Sequence, residues 1–353
     1  MKRLVIDKHA IRANIQAVKN RAGDAIIYGD LSGDAYGLGL LETAKLLRDS
    51  GINNFAVAEP RDAALLRSSG FENSRIMMVR STADPNELKA LIDLGVVCTA
   101  GSYDAAVAIN GIAEERRTVC EVQIKIDTGM GRYGFMPSET DKITSIFKYM
   151  SNLAIVGMFT TFDQSWRSKK FTQRQYDEFM QVVNELKKMG YKPGCVHCLD
   201  SAALFKYNFD HLDAVRIGTA FSGRVQGKPI SQLKKVGYIE AGIEEIGWFP
   251  KGHRFGSGKV LRKPAKLAVI SVGFFHGFGL IRHDADSHIF DIVKNRRRRN
   301  LSVKIKGHKA KVMGSVGMMH TVVDVSRINC SVGDHALLDV DPVNVKGLPR
   351  VYK

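Results

Sequence analysis

Residues 122–134 read Val122-Gln123-Ile124-Lys125-Ile126-Asp127-Thr128-Gly129-Met130-Gly131-Arg132-Tyr133-Gly134. The stretch opens as a short apolar run typical of a buried strand, then breaks into a turn with Lys125 near the strand's end. Similar strand-like runs lie on both sides of it: Asn54-Phe55-Ala56-Val57-Ala58, Ile76-Met77-Met78-Val79, Val96-Val97-Cys98 and Ile155-Val156-Gly157-Met158. Between them the apolar residues take helical spacing, as in 61–69, 85–94 and 172–189. Alternation of this kind over roughly 200 residues predicts a parallel α/β architecture, either a (β/α)8 barrel or a doubly wound sheet. From about Lys234 the pattern changes. The runs 266–272, 302–305 and 321–325 are strand-like and no helix of comparable length separates them, which predicts a second, all-β domain.

A chain of 353 residues with 44% apolar content is long enough for two cores. Apolar runs of bilayer-spanning length are absent from the sequence, so no membrane span is expected. The opening MKRLVIDKHAIRANIQ turns polar within a few positions, unlike a secretory signal, which makes the cytoplasm the expected address. Cysteines at 98, 120, 195, 198 and 330 are odd in number and scattered, as suits a reducing compartment. Cys195-Val196-His197-Cys198 places three metal-ligating types in four residues, yet no second pair follows at zinc-finger spacing, and no metal site is predicted. The 52 Lys plus Arg against 36 Asp plus Glu leave a formal charge of +16. Part of this excess is concentrated in 294–311, with Lys294, Arg296, Arg297, Arg298, Arg299, Lys304, Lys306, Lys309 and Lys311. Such a segment either binds nucleic acid or an acidic surface or forms a solvated loop and the outer face of a sheet; the lack of aromatic residues for base stacking favours the second.

A further stretch, Leu31-Ser32-Gly33-Asp34-Ala35-Tyr36-Gly37-Leu38-Gly39-Leu40, resembles the pyridoxal-phosphate loop of alanine racemases, written V-K-A-D/N-A-Y-G-H-G. Residues 125–134 resemble that family's K-V-D-T-G-M-N-R-L-G, and are the most specific match in the chain. Leu4 to Asp7 with Ile11 and Asn14, Phe55 to Glu59, His197 with Ser201 and Ala202, Val215 to Gly218, and Leu348 to Tyr352 resemble further family segments. The resemblance implies a (β/α)8 TIM-like barrel over 1–230, then an all-β domain over 231–353, shortened relative to the family. It also implies a homodimer whose active sites use both subunits.

The same alignment places departures around one pocket. The family's Schiff-base lysine falls on Ser32 and its catalytic tyrosine on Ser257. A serine hydroxyl supplies no amine for an imine and is a far weaker acid than a phenol. The family's T-H-F reads Thr160-Thr161-Phe162, its G-Y-A-D-G-Y/F reads Gly273-Phe274-Phe275-His276-Gly277-Phe278, and its S-M-D reads Gly317-Met318-Met319. What persists still implies a pocket. By resemblance Tyr36, Ser201, Gly218 and Thr219 line a phosphate site, Arg216 and His197 lie at the ring of the cofactor, and Arg132 with Met318 lies near a substrate carboxylate, for which an arginine fork is suited. Lys125 and His276 are the candidate replacements for the lost acid and base.

Two function classes follow. The first is a racemase-like protein without standard racemisation, binding a small anionic or amino-acid ligand or acting as a pseudoenzyme. The second is an active enzyme that uses non-covalent pyridoxal phosphate, or no cofactor, with His276 or Lys125 in a new role. Binding of nucleic acid or an acidic surface through 294–311 is a third. No covalently bound cofactor is expected.

Overall fold

The computed structural model describes residues 2–255, 259–280 and 301–353. The expected helices start where the local chemistry starts them. Asp84 accepts the amides of Asn86 and Glu87 and proline opens Pro85–Asp93; Ser102 and Ser168 accept the amides of Ala105 and Phe171 ahead of Tyr103–Glu115 and Lys169–Lys188. Each side chain satisfies a donor that the first helical turn leaves unpaired, typically worth about 1 kcal/mol.

The strand-like runs form eight parallel strands: Ile26–Asp30, Asn54–Val57, Arg75–Met78, Cys98–Ala100, Cys120–Lys125, Leu153–Phe159, Cys195–Leu199 and Ala214–Ile217. Ile26–Asp30 pairs with Ala214–Ile217, and a bridge between Met77 and Val97 joins the two remaining edges, so the sheet closes. Closure is carried by Met78 N–H donating to Val97 O and Val97 N–H to Ile76 O, both 2.9 Å. A closed ring leaves no unpaired edge and selects the barrel over the doubly wound sheet. Tyr28, Ala56, Met77, Val97, Phe159 and Ala214 pack together as one apolar cluster of buried residues. This barrel unit comprises Ala10–Lys235.

The second unit comprises Met1–His9 and Val236–Lys353. The opening strand Lys2–Ile6, which a division at 230/231 would assign to the barrel, pairs here instead, between Tyr238–Phe249 and Arg350–Tyr352. Tyr238–Phe249 is the corner of this unit. Its first half pairs with His335–Asp339, its second half pairs with Ala265–Ile270, and the register shifts between Ile243 and Glu245. From Ala265–Ile270 the sheet runs through Thr321–Asp324, His308–Val312 and Ser302–Ile305 back to His335–Asp339, closing a six-stranded antiparallel barrel. Alternation decides its faces: Val303, Ile305 and Ala310 are buried, while Lys304, Lys309 and Lys311 are exposed. The described part of the basic segment is therefore the outer face of a sheet; Lys294 to Arg299 lie outside the described residues, as does Ser257. Among the described residues no helix is long and apolar enough to cross a membrane, and no cluster of His, Cys, Asp or Glu could hold a metal ion.

One buried side chain ties the beginning of the barrel unit to its end. Asn14 donates to Phe221 O at 3.0 Å and Lys234 O at 2.7 Å, and accepts from Lys234 N–H at 2.7 Å. Asn14→Ala removes three buried bonds and leaves backbone groups unpaired. It is expected to cost about 2–4 kcal/mol, read as a lower urea midpoint for the transition of the barrel unit.

Candidate functional site

A parallel barrel opens all its strands' C-terminal ends on one face, and polar side chains gather there. The first barrel strand ends at Asp30, and Ser32 follows two residues later. The chain then takes a left-handed turn, with φ of 61°, 59°, 53° and 55° at Gly33, Asp34, Ala35 and Tyr36. Left-handed backbone costs a non-glycine residue about 1–2 kcal/mol, and local bonds offset it. Asp30 Oδ1 accepts from Ser32 N–H at 3.0 Å, Asp34 Oδ1 accepts from Leu40 N–H at 2.7 Å, and the Tyr36 hydroxyl donates to Asp30 Oδ2 at 2.9 Å. Ser32 Oγ is buried and has no hydrogen-bond partner among the described residues.

Tyr36 lies against the end of the last barrel strand. A Cβ added to Gly218 would stand 2.2 Å from Tyr36 Cε2 and 2.8 Å from its hydroxyl, so this position has to be glycine for the ring to lie there. Beside it, Ser201 Oγ accepts from Gly218 N–H at 3.2 Å and Ala220 N–H at 3.1 Å. Asp200 caps the turn that follows, accepting from Ala203 N–H at 2.8 Å and from the Ser165 hydroxyl at 2.6 Å. Burial and the Asp30 carboxylate push the Tyr36 phenol well above its ordinary pKa. Of the predicted phosphate-site residues, the structure brings Tyr36, Ser201 and Gly218 together; the Thr219 carbonyl accepts from Ser222 Oγ at 2.8 Å.

Deeper in the barrel runs a largely buried polar chain. Arg216 Nη1 donates to His197 Nδ1 at 2.6 Å, while Nη2 donates to Thr160 O at 2.8 Å and Thr161 Oγ1 at 3.1 Å. Because His197 Nδ1 must accept, its proton belongs on Nε2, which donates to Gln123 Oε1 at 2.6 Å. Burial and the neighbouring guanidinium hold His197 well below its ordinary pKa, so it is neutral. The imidazole stacks on Phe159 at 5.3 Å, and the same ring lies 4.7 Å below the Arg216 guanidinium. Asp30, Asp200 and Tyr36 are all within electrostatic reach of that cation.

The stretch 125–134 folds back on its own strand. Asp127 Oδ1 accepts three consecutive amides, those of Gly129, Met130 and Gly131, and Phe135 N–H returns to Lys125 O at 2.9 Å. Lys125 Nζ is buried and donates to Arg132 O at 2.8 Å. The Arg132 side chain is exposed and donates to Met130 Sδ at 3.5 Å. Burial, then the Arg216 and Arg132 charges, lower the Lys125 amine to about 8. His276 and Met318 belong to the other unit. His276 is buried in a short turn with Nδ1 accepting from Gly273 N–H at 3.2 Å, and burial holds its pKa down; Met318 is exposed.

Sequence reasoning passed over Asp30 and Asp200. The available signal was an acidic residue ending a barrel strand and another preceding Ser201, both places where side chains reach the open face. They decide whether pyridoxal phosphate, the group implied by the resemblance, fits. It needs an amine near position 32 and free donors for its phosphate. Here a hydroxyl stands at 32, the Tyr36 proton goes to a carboxylate, and the Gly218 and Ala220 amides are taken by Ser201. The residues present do not fit that group.

Comparison with known proteins bears on the ancestry of this arrangement. The family described as "Alanine racemase, N-terminal domain" matches residues 6–225. An alanine racemase of Methylacidiphilum infernorum is 31% identical over 339 residues, covering 94% of this chain and 82% of its own length. One from Halothermothrix orenii is 29% identical over 341 residues, covering 94% and 86%. Among solved structures, an alanine racemase of Clostridium difficile 630 superposes with a TM-score of 0.85 at 25% identity, over 100% of this chain and 95% of that one. A Streptomyces lavendulae alanine racemase reaches 0.87 at 22% identity over 100% and 97%, a likeness of fold.

The lowered Lys125 pKa has a consequence for stability. Its folded value of about 8 lies below the ordinary 10.5, so the unfolded chain binds more protons between the two. This contribution is therefore fully present above 10.5 and is lost as pH falls through 8. In paired denaturation series, the stability of the wild type relative to Lys125→Met should rise from pH 8 to 10.5; a difference independent of pH would contradict the assignment.

Proposed function

We propose that this chain, which belongs to the alanine racemase family, is a non-racemising member that binds a small amino-acid-like ligand at the mouth of its barrel. The observation that carries the reading is Ser32. It follows the first barrel strand, where the family pattern has its lysine, and its hydroxyl is buried with no partner among the described residues. An oxygen in that position can donate to or accept from a ligand, but it cannot form an imine. The surrounding groups support recognition of a zwitterion. Asp30 is an acceptor for an ammonium group, while Lys125 and Arg132 are cations suited to a carboxylate. Loss of the second acid, at Ser257, is part of the same proposal and rests on the sequence alone.

A second reading is carried by Lys125. An amine titrating near 8 is partly neutral at physiological pH and can accept a proton, which would allow isomerisation without a cofactor. Under this reading the role sought for a replacement base falls to Lys125. Association as a homodimer belongs to the proposal as well and is read by sedimentation.

Two measurements on the purified protein test these readings. After incubation with pyridoxal phosphate and borohydride, no pyridoxyl group should become fixed to the chain. In deuterium oxide, the α-proton of alanine should not exchange. A borohydride-fixed label on any lysine would sink the first reading; exchange without such a label, abolished in Lys125→Met, would establish the second.

A further inference from the structure

From the hydrogen bonds around Tyr36 we infer that Asp30 is a specificity-determining residue that closes the phosphate end of the pocket. The site takes ligands whose corresponding end is an unphosphorylated hydrogen-bond donor, an ammonium or a hydroxyl group. This inference deepens the proposed function and rests on the same pocket.

Asp30, Tyr36, Gly218 and Ser201 touch in sequence: carboxylate to phenol at 2.9 Å, phenol against the Gly218 backbone, and the Gly218 amide to Ser201 at 3.2 Å. A phosphate dianion at this end would need those donors turned towards it. Each has an internal acceptor already. The Tyr36 proton is committed to Asp30 Oδ2, and the amides of Gly218 and Ala220 are committed to Ser201 Oγ. Behind them stands the charge of Asp30, with Asp200 also near Arg216. A carboxylate at this range repels a dianion, and the repulsion is only weakly screened inside a barrel. The nearby cation already faces the carboxylates of Asp30 and Asp200, and Arg216 directs Nη1 and Nη2 to His197, Thr160 and Thr161 instead of towards this end. What the end presents is mainly acceptors: the carboxylate oxygens of Asp30 and the phenolic oxygen of Tyr36, with the Ser32 Oγ able to act either way and the Ser201 hydroxyl as a single donor. A ligand terminus bearing N–H or O–H matches that set.

Asp30→Asn is the informative variant, since it keeps the shape and an acceptor for Ser32 N–H and removes the charge. Reversible binding of pyridoxal and of pyridoxal 5′-phosphate is measured by dialysis for both proteins without reductant. The expected result is a ratio of phosphate-ester to pyridoxal affinity at least about tenfold higher for Asp30→Asn than for the wild type, through tighter binding of the ester. Equal affinity of the two proteins for the ester would overturn the inference. Tyr36→Phe in the wild-type background keeps it testable should Asp30→Asn not fold. With its proton committed to Asp30, the phenol should add nothing to binding of the ester, and a severalfold loss of ester affinity in Tyr36→Phe would overturn the assignment. Both outcomes are reversible affinities, so they are distinct from a borohydride-fixed label, which bears on the proposed function instead.

Discussion

A guanidinium enclosed by a ring of parallel strands is the constraint around which this pocket is arranged. Arg216 is 7% exposed, and an unpaired charge at such a depth would be prohibitive. Every neighbour therefore has a prescribed state. His197 must be neutral, with Nδ1 free to accept; Gln123 must accept from its other nitrogen; and the Thr160 carbonyl and Thr161 hydroxyl must turn inwards. Phe159 supplies the flat face on which both imidazole and guanidinium rest. Satisfying a cation in this way holds four strand ends in one geometry. That rigidity gives a binding site a defined shape whichever chemistry it serves.

Against this rigid floor the first strand end has a different composition from the one the family motif implies. The left-handed turn from Gly33 to Tyr36 still brings the phenol against Gly218, so the backbone plan of the loop persists. Two side chains within it alter the chemistry. Under the proposed reading Ser32 puts a hydroxyl where the family pattern has an amine, and Asp30 accepts the hydrogen bond of the Tyr36 phenol. The first change bears on covalent attachment and the second on charge selection. They bear on different properties of neighbouring groups, which is why they are separable by experiment. Fold membership leaves both open, because a family's scaffold constrains the backbone far more than it constrains the chemistry at its loops.

The β unit shows how the same residues can read differently once strands are paired. Lys304, Lys309 and Lys311 look like part of a continuous basic segment in one dimension. In the sheet they alternate with Val303, Ile305 and Ala310, which fill the interior, and so they fall on the outer face. Likewise His276, considered as a base because of its place in a family motif, is a buried side chain that caps its own turn.

Much of the fold was legible in the sequence. Apolar runs at strand length and amphipathic segments between them located strands and helices to within a few residues, because burial imposes its period directly on the residues. The motif at 125–134 and the loop at 31–40 pointed to groups at the open face of the barrel, and Ser32 was visible where the resembled pattern has an amine. The sequence could not show which edges meet. Closure through Met77 and Val97 joins strands from different β/α units, and Lys2–Ile6 pairs with a strand more than half the chain away. Nor could it show that Asp30 accepts the hydrogen bond of Tyr36, or that burial and Arg216 hold His197 neutral. Local pattern determines what a segment becomes, but a hydrogen bond between distant residues depends on distances set only when the barrel closes, and the character of this pocket was decided there.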